Sequence, residues 1–421
     1  MSSGVLSFDE ALARVRARAR ELRPAQGAAE NVELGRAAGR VLAEPLCADR
    51  DQPPFARSTR DGYACRAAEA MTRAWMPVAG SIRAGQSPAG SIPPGAAWEI
   101  MTGAPVPEGA DAVVMLEHVE AVDGRVRLPE PRTVSEGENI VPRAAEARAG
   151  DEVLQPGARL GAAQIALAAS CGYATVPVFA RPRVAILTTG DELVRVEATP
   201  GPGQIRNSNA PMLAALVSAA GGKPWILPAA ADEAGALDDA LEQAASADLL
   251  VISGGVSAGK FDLVEDALAR VGAEFHFTGV RIQPGKPTVF GERPREGQAG
   301  GVQPFFGLPG NPISSAATFL LFVAPVLGAL AGSAEPSPRF ALARLAKELK
   351  GKPNLTRFVP SRCDFGSGGD EGSRGTMPLV TPVPWQGSGD LAAFGKSNCF
   401  AVVPEGTDRL AAGETVRILL F

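Results

Sequence analysis

The sequence predicts a multidomain protein of class α/β plus β. It has a doubly wound α/β domain over residues 181–331 and a β-rich domain over 49–146. The β-rich domain is inserted into a small helical/mixed linking domain (1–48 plus 147–180), and a small C-terminal β domain covers 337–421. Three observations predict this. The chain has 421 residues, and at roughly 100–200 residues per domain that allows two to four units. From 181 to 331, short apolar strands alternate with helix-length segments, the pattern of helices on both faces of a sheet. The flanking stretches are cut into short strands by glycine and proline. The 48 Gly and 36 Pro together make about a fifth of the chain, turn-rich but below the roughly 25–30% of low-complexity sequence.

Composition narrows the chemistry. With 45% hydrophobic and 21% charged residues, the chain is neither disordered nor collagen-like. A net charge of −5 leaves no global basic footprint for nucleic acid. The only histidines, His118 and His276, exclude a His-rich zinc site. Five scattered cysteines without a CxxC pair imply a reducing compartment and no disulfide framework. Any metal is then expected on oxygen ligands, which points to Mg²⁺.

The elements follow in order. MSSGVLSFDEALARVRARARELRP has no apolar targeting core and reads as a surface helix, with Ser7 and Glu10 as a capping box and Pro24 ending the run. Val119–Leu128 is a hairpin around Asp123-Gly124, a pair that takes the positive φ of a tight turn. A helix at Ala162–Ala169 and a strand at Thr175–Val178 should pack back on residues 25–48. Strands are expected at Val184–Thr188, Trp225–Leu227, Leu249–Ser253, Thr288–Phe290 and Phe305–Gly307. Helices are expected at Asn209–Ala220, Ala234–Ala245 and Asp262–Val271. Arg293–Gln303 reads as a polar surface loop and Gly366–Gly375 as a hairpin tip. Ala316–Ala331 is the most apolar run. It is shorter than the roughly 20 residues that span a bilayer and contains Pro325, so it reads as a buried core helix of a cytoplasmic protein with no membrane partner.

Chemistry concentrates at strand ends of the α/β domain, where such sheets bind ligands. Three loops sit there: Thr188-Thr189-Gly190-Asp191-Glu192, Ser253-Gly254-Gly255-Val256-Ser257-Ala258-Gly259, and Leu308-Pro309-Gly310-Asn311-Pro312. Each alone reads as an ordinary strand–helix turn. Together their glycines and following helices suit an anion. The second loop is no Walker site, since Phe261 follows Lys260. Asp191, Glu192, Asp232 and Asp262 lie near the same edge, where carboxylates beside a phosphate suit Mg²⁺. Asp232 and Asp262 also read as helix caps. Lys286, between Pro284 and Pro287, is a fixed cation for an oxyanion, with Arg281 nearby.

Further segments complete a pattern. Pro53-Pro54-Phe55 precedes Asp61-Gly62-Tyr63-Ala64. IMTGAPVPEGADAVVMLE spans 100–117, LTTGDEL 187–193, ISGGVSAGKFD 252–262, QPGKP 283–287 and GLPGNPISS 307–315. Trp385–Gly389 and Ser397–Phe400 follow. In this order the chain resembles, along nearly its whole length, the molybdopterin molybdenumtransferase (MoeA) family, to which the E domains of gephyrin and its plant counterpart are related. The resemblance implies an elongated homodimer with a MogA-like molybdopterin-binding α/β domain and a C-terminal β-barrel-like domain. It implies a transferase that takes adenylylated molybdopterin and molybdate, releases AMP in a Mg²⁺-dependent step and delivers molybdenum cofactor. Molybdopterin adenylyltransferase and molybdoenzyme apoproteins are the partners it implies.

Roles carried over by the resemblance fall on named positions. Asp61, Thr102, Glu192, Asp232, Asp262 and Lys286 would be catalytic, with Glu192, Asp232 and Asp262 at the metal. Thr189, Gly190, Ser253, Gly254, Gly255, Ser257, Arg281, Pro309, Gly310, Asn311 and Ser388 would hold substrate, as would Arg143 and Glu146. Asp61 and Thr102 would reach the cleft from the partner subunit. The chain departs from the family pattern at Thr59-Arg60, at Val141–Glu146, at Gly279 and at Gln283. Glu146 stands in place of an aspartate, and Arg143 is the cation left near Val141. Two alternatives to the transferase are a non-catalytic molybdopterin-binding scaffold and a nucleotide pyrophosphatase built on the same α/β domain.

Overall fold

The computed structural model describes residues 4–24, 29–231, 233–255, 263–295, 301–334, 338–365 and 377–421. Ser257, Asp232, Asp262 and the tip expected at 366–375 lie outside these residues.

The α/β domain is built on a six-stranded sheet. Its order is Lys223–Ile226, Arg183–Thr188, Leu249–Ser253, Val302–Leu308, Val289–Pro294, Glu274–Phe277. Side chains alternate across it with period two. Val184, Ile186, Val251, Phe306 and Leu308 enter one core, against the helices Asn209–Ala219 and Pro312–Leu330. Ala185, Leu187, Leu250, Ile252 and Phe305 enter the other, against Ala234–Ala244 and Leu263–Arg270. Burial on both faces explains why these strands read as unbroken apolar runs.

The structure adds two features to the sequence reading and corrects a third. The sheet is mixed, since Val289–Pro294 runs antiparallel to both neighbours. The edge strand Glu274–Phe277 gave no clear apolar signal, because one face of an edge strand is half wet. Arg293 and Gln303 are not surface-loop residues but lie buried in paired strands. Arg293 Nε donates to Gln303 Oε1 (2.6 Å), and Gln303 Nε2 donates to the carbonyls of Ala244 and Ala247. Satisfied hydrogen bonds make that burial tolerable.

The N-terminal helix Phe8–Glu21 has the expected capping box: Ser7 N donates to Glu10 Oε2 and Glu10 N to Ser7 Oγ. It is more than a surface element. Phe8, Ala11, Leu12, Val15 and Ala19 are buried in the larger α/β core, and Val5–Leu6 pair in parallel with Gly279–Val280. Residues 29–33 pair with 175–179, and Leu42, Leu46, Leu160, Ala168 and Val176 form a separate small core.

The apolar helical run is longer than its sequence core, Pro312–Leu330. It is apolar and long enough to cross a membrane, but 83% of its most apolar window is buried in the fold. A π-helical turn at Phe319–Val323 precedes Pro325, whose missing N–H interrupts the ordinary ladder.

Residues 62–127 form a six-stranded, mostly antiparallel sheet that ends in the expected hairpin, with Asp123 (φ 48°) and Gly124 (φ 72°) at its turn. In the C-terminal region five strands close on themselves: Thr356–Asp364, Leu379–Pro382, Phe340–Leu345, Thr415–Leu420 and Cys399–Val403, the last pairing back to the first. Closure removes free sheet edges. Phe358, Phe400, Val402 and Leu419 face the larger α/β core, and Ile282–Gln283 add a parallel strand to the barrel. The barrel is thereby seated beside the strand ends of the α/β sheet. All five cysteines are unpaired thiols.

Candidate functional site

Parallel strands Arg183–Thr188, Leu249–Ser253 and Val302–Leu308 end level with one another: Thr188 pairs with Ser253, and Ser253 with Leu308. Their three loops therefore open into one cleft of about 620 Å³. Thr189, Gly190, Glu192, Ser253, Gly254, Gly255, Pro309, Gly310 and Asn311 all line it. These nine expected residues are thus brought together.

Close packing explains the glycines. A Cβ on Gly254 (φ +100°) would lie 2.6 Å from the Thr189 carbonyl oxygen, and one on Gly255 (φ +64°) would lie 2.7 Å from Val264 Cγ2. Larger residues would push the loop off the sheet edge. Glu192 folds its carboxylate back over Gly190, and its backbone carbonyl accepts from Ile205 N (2.8 Å).

Two asparagines that the sequence reading passed over organise the floor. Asn207 Nδ2 donates to Thr188 Oγ1 (2.8 Å), while its Oδ1 accepts from Ala210 N. Asn209 Nδ2 donates to both Ser253 Oγ (2.9 Å) and the Gly310 carbonyl (2.6 Å), tying the second and third loops together. Their position before a helix gave a signal, but a capping role accounts equally well for asparagine there. Thr189 Oγ1 and Asn209 Oδ1 are buried without a hydrogen-bond partner among the described residues.

The barrel supplies one wall through Gly389 and Leu391. Ser388 contributes its carbonyl, which accepts from Ile313 N (3.0 Å) at the start of the apolar helix. Lys286 is exposed beside Pro287, which lines the cleft. Arg281 is not among the lining residues: its Nε donates to Glu405 Oε1 (3.3 Å) and its backbone N to the Leu6 carbonyl.

The remaining expected residues lie in the inserted β-rich unit and do not line this cleft. Asp61 and Thr102 form one exposed constellation. Asp61 Oδ1 accepts from both Thr102 N (2.6 Å) and Thr102 Oγ1 (2.8 Å). These bonds, the backbone one first, hold the Asp61 carboxyl below its ordinary pKa. Arg143 Nε donates to Asp51 Oδ2 (2.6 Å), and Glu146 accepts from Arg57 (2.8 Å).

Comparison with known proteins matches three stretches of the chain. Residues 6–172 match the MoeA N-terminal region (domain I and II), 185–329 the probable molybdopterin binding domain, and 342–421 the MoeA C-terminal region (domain IV). The chain is 35% identical over 400 residues to a molybdopterin molybdenumtransferase of Nostoc sp. (strain PCC 7120), covering 93% of this chain and 88% of the relative. It is 35% identical over 405 residues to the Bacillus subtilis enzyme of the same name, covering 94% and 90%. A crystal structure of a molybdopterin biosynthesis MoeA protein from Pyrococcus horikoshii superposes with a TM-score of 0.79 at 27% identity, covering 99% of this chain and all of that one.

Proposed function

The chain belongs to the molybdopterin molybdenumtransferase (MoeA) family, and we propose on that premise that the strand-end cleft is where it works. It is a transferase of molybdenum cofactor biosynthesis that handles a molybdopterin substrate. The scaffold and pyrophosphatase alternatives are not favoured, since the matched relatives carry the transferase name over 88% and 90% of their own lengths.

The single observation that supports the cleft is the convergence of three glycine-bearing loops on Asn209, which bonds two of them through one amide. In our reading the cleft receives adenylylated molybdopterin, with Ser253, Gly254 and Gly255 against phosphate and Pro309, Gly310 and Asn311 against the pterin side. Molybdate is the second substrate, met by Lys286 and Ser388. Hydrogen bonds from rigid backbone suit charge that must be held without rearrangement.

The donor chemistry fits Mg²⁺. The described cleft offers hard oxygens from Glu192, Thr189 and Asn209, and neither thiolate nor imidazole. Glu192 would hold the ion with Asp232 and Asp262. When bound it supplies charge neutralisation at the AMP phosphate. The chain's own residues orient the substrate: Asn209 fixes Ser253 and Gly310, and Asn207 fixes Thr188.

Asp61 and Thr102 do not line the cleft of their own chain. We assign them to the cleft of a second copy in a homodimer, along with Arg143 and Glu146. Work in the cytoplasm, receipt of substrate from the adenylyltransferase and delivery to molybdoenzyme apoproteins complete the proposal.

The test is AMP release from adenylylated molybdopterin by the purified protein, with and without molybdate and Mg²⁺. Release is expected to need both and to fall by about 100-fold or more in Glu192→Ala, the scale on which loss of a charged site group acts. Release independent of molybdate would turn the reading to a pyrophosphatase. Substrate binding without release would turn it to a carrier.

A further inference from the structure

A second concavity lies at the other end of the apolar helix. Its volume is about 970 Å³. The substrate cleft adjoins Pro312 and this hollow adjoins Ser333, so the 19-residue helix between them puts the two roughly 28 Å apart at 1.5 Å per residue. Four segments meet there: the last turns of helix Phe8–Glu21, the turn at 157–159, the residues after the apolar helix, and the first residues of the barrel. Ala334 N donates to the Gly157 carbonyl (3.1 Å), which locks the turn onto the helix end.

This junction gathers charge of one sign. Arg16, Arg20, Arg159 and Arg339 all line the hollow, and no carboxylate lines it among the described residues. None of the four has an ion-pair partner among those residues, whereas Arg18, on the same helix, has two. Each guanidinium carries five N–H donors. Among the described residues these donors make one side-chain hydrogen bond, from Arg159 Nη1 to the Gly39 carbonyl (2.9 Å). Arg16 Nε is buried and has no hydrogen-bond partner among the described residues. Burial, and then the charge of Arg339, push Arg159 below the ordinary guanidinium range. Like charges converging on half-buried ground are unfavourable unless an anion joins them.

We propose that this hollow binds a small anion carrying a diphosphate group. Guanidinium forks match phosphoryl oxygens two at a time, and four cations balance the charge of two linked phosphoryl groups better than that of one. The small residues between them, Ala19, Gly157, Ala158 and Ala334, leave room for phosphoryl groups between the guanidinium heads. The group comes either from free pyrophosphate or from the diphosphate of a nucleotide. The site is separate from the substrate cleft and does not depend on the assignment of that cleft.

The experiment is calorimetric titration of the full-length protein with sodium pyrophosphate and, in a second arm, with ADP. Three proteins are compared: the parent, R16Q/R339Q, and Gly254→Ala, which obstructs the substrate cleft. R16Q/R339Q is expected to weaken pyrophosphate binding by about tenfold or more, as loss of charged hydrogen bonds does. Gly254→Ala leaves it unchanged. ADP binding tighter than pyrophosphate, and equally sensitive to R16Q/R339Q, identifies a nucleotide; equal affinities identify the bare diphosphate. In the absence of ligand, the exposed single variant R339Q melts at or above the parent temperature, and it gains less than the parent from pyrophosphate. Unchanged affinity in R16Q/R339Q overturns the proposal. So does a loss seen only in Gly254→Ala, or a shift of R16Q/R339Q from dimer to monomer with pyrophosphate binding intact, which would make the arginines an interface between copies.

Discussion

Asp61 shows how a single residue's chemistry is set by one neighbour. Its carboxylate takes two hydrogen bonds from Thr102, one from the backbone and one from the hydroxyl. Both favour the charged form, so the folded pKa lies below the ordinary value. The sign follows from linkage. A carboxyl with a depressed folded pKa favours the fold above its unfolded pKa, and that contribution fades as pH falls through the folded value. Thr102→Val removes the hydroxyl but keeps the backbone donor. The Asp61 pKa is therefore expected to rise part of the way back, measured by carbon NMR titration of the carboxyl. No movement would mean that the hydroxyl contributes nothing. The sequence could mark Asp61 and Thr102 as members of motifs, but 41 residues separate them, and it is strand pairing, Gly62 with Ile100, that brings their loops together.

At the scale of elements, the N-terminal helix carries more of the fold than its sequence suggests. Its capping box was legible, because Ser7 and Glu10 stand at the spacing the motif needs. Its arginine-rich face reads as solvated, yet Phe8 is 2% exposed, with its ring 5.2 Å from Phe358 of the barrel and 6.4 Å from Phe322 of the apolar helix. Arg18 spans to Glu292 at 2.5 Å, the kind of contact a one-dimensional charge pattern cannot show. Phe8→Ala is expected to cost about 3–5 kcal/mol, the range for a fully buried aromatic. Urea denaturation would check it. A loss under about 1 kcal/mol would mean the helix docks only loosely. The strands of the α/β sheet were legible for the opposite reason. Burial on both faces leaves unbroken apolar runs, whereas the edge strand Glu274–Phe277 and the polar pair Arg293 and Gln303 carry no such mark.

At the scale of the whole molecule, the proposed homodimer would bring two separate constellations to one reaction. The cleft contains Glu192 but not Asp61 or Thr102. A homodimer in which each copy completes the other's site makes a sharp prediction. Asp61→Ala and Glu192→Ala proteins, each inactive alone, are unfolded together and refolded. Half the dimers then re-form as mixed pairs with one intact site, restoring roughly a quarter of the parent activity. The readout is AMP release from the mixture. Activity no higher than in either variant alone would place both residues in the same cleft of one chain, or remove Asp61 from the reaction.

What the sequence determined by itself was the set of parts. Local rules acting over a few residues made them visible: apolar runs for double-faced burial, glycines at strand ends, a capping box, and a turn at Asp123-Gly124. Motif order along the chain was enough to recognise the family. Tertiary structure decided which parts meet. Asn209 became the tie between loops only when strands from three separate stretches ended level. Arg281 turned toward Glu405 because the strand Ile282–Gln283 joins the barrel. Four arginines from three distant stretches converged because Gly157 and Ala334 lock two units together. Such contacts depend on chain closure over long separations, and the identity of a residue carries no record of the partner that closure brings to it.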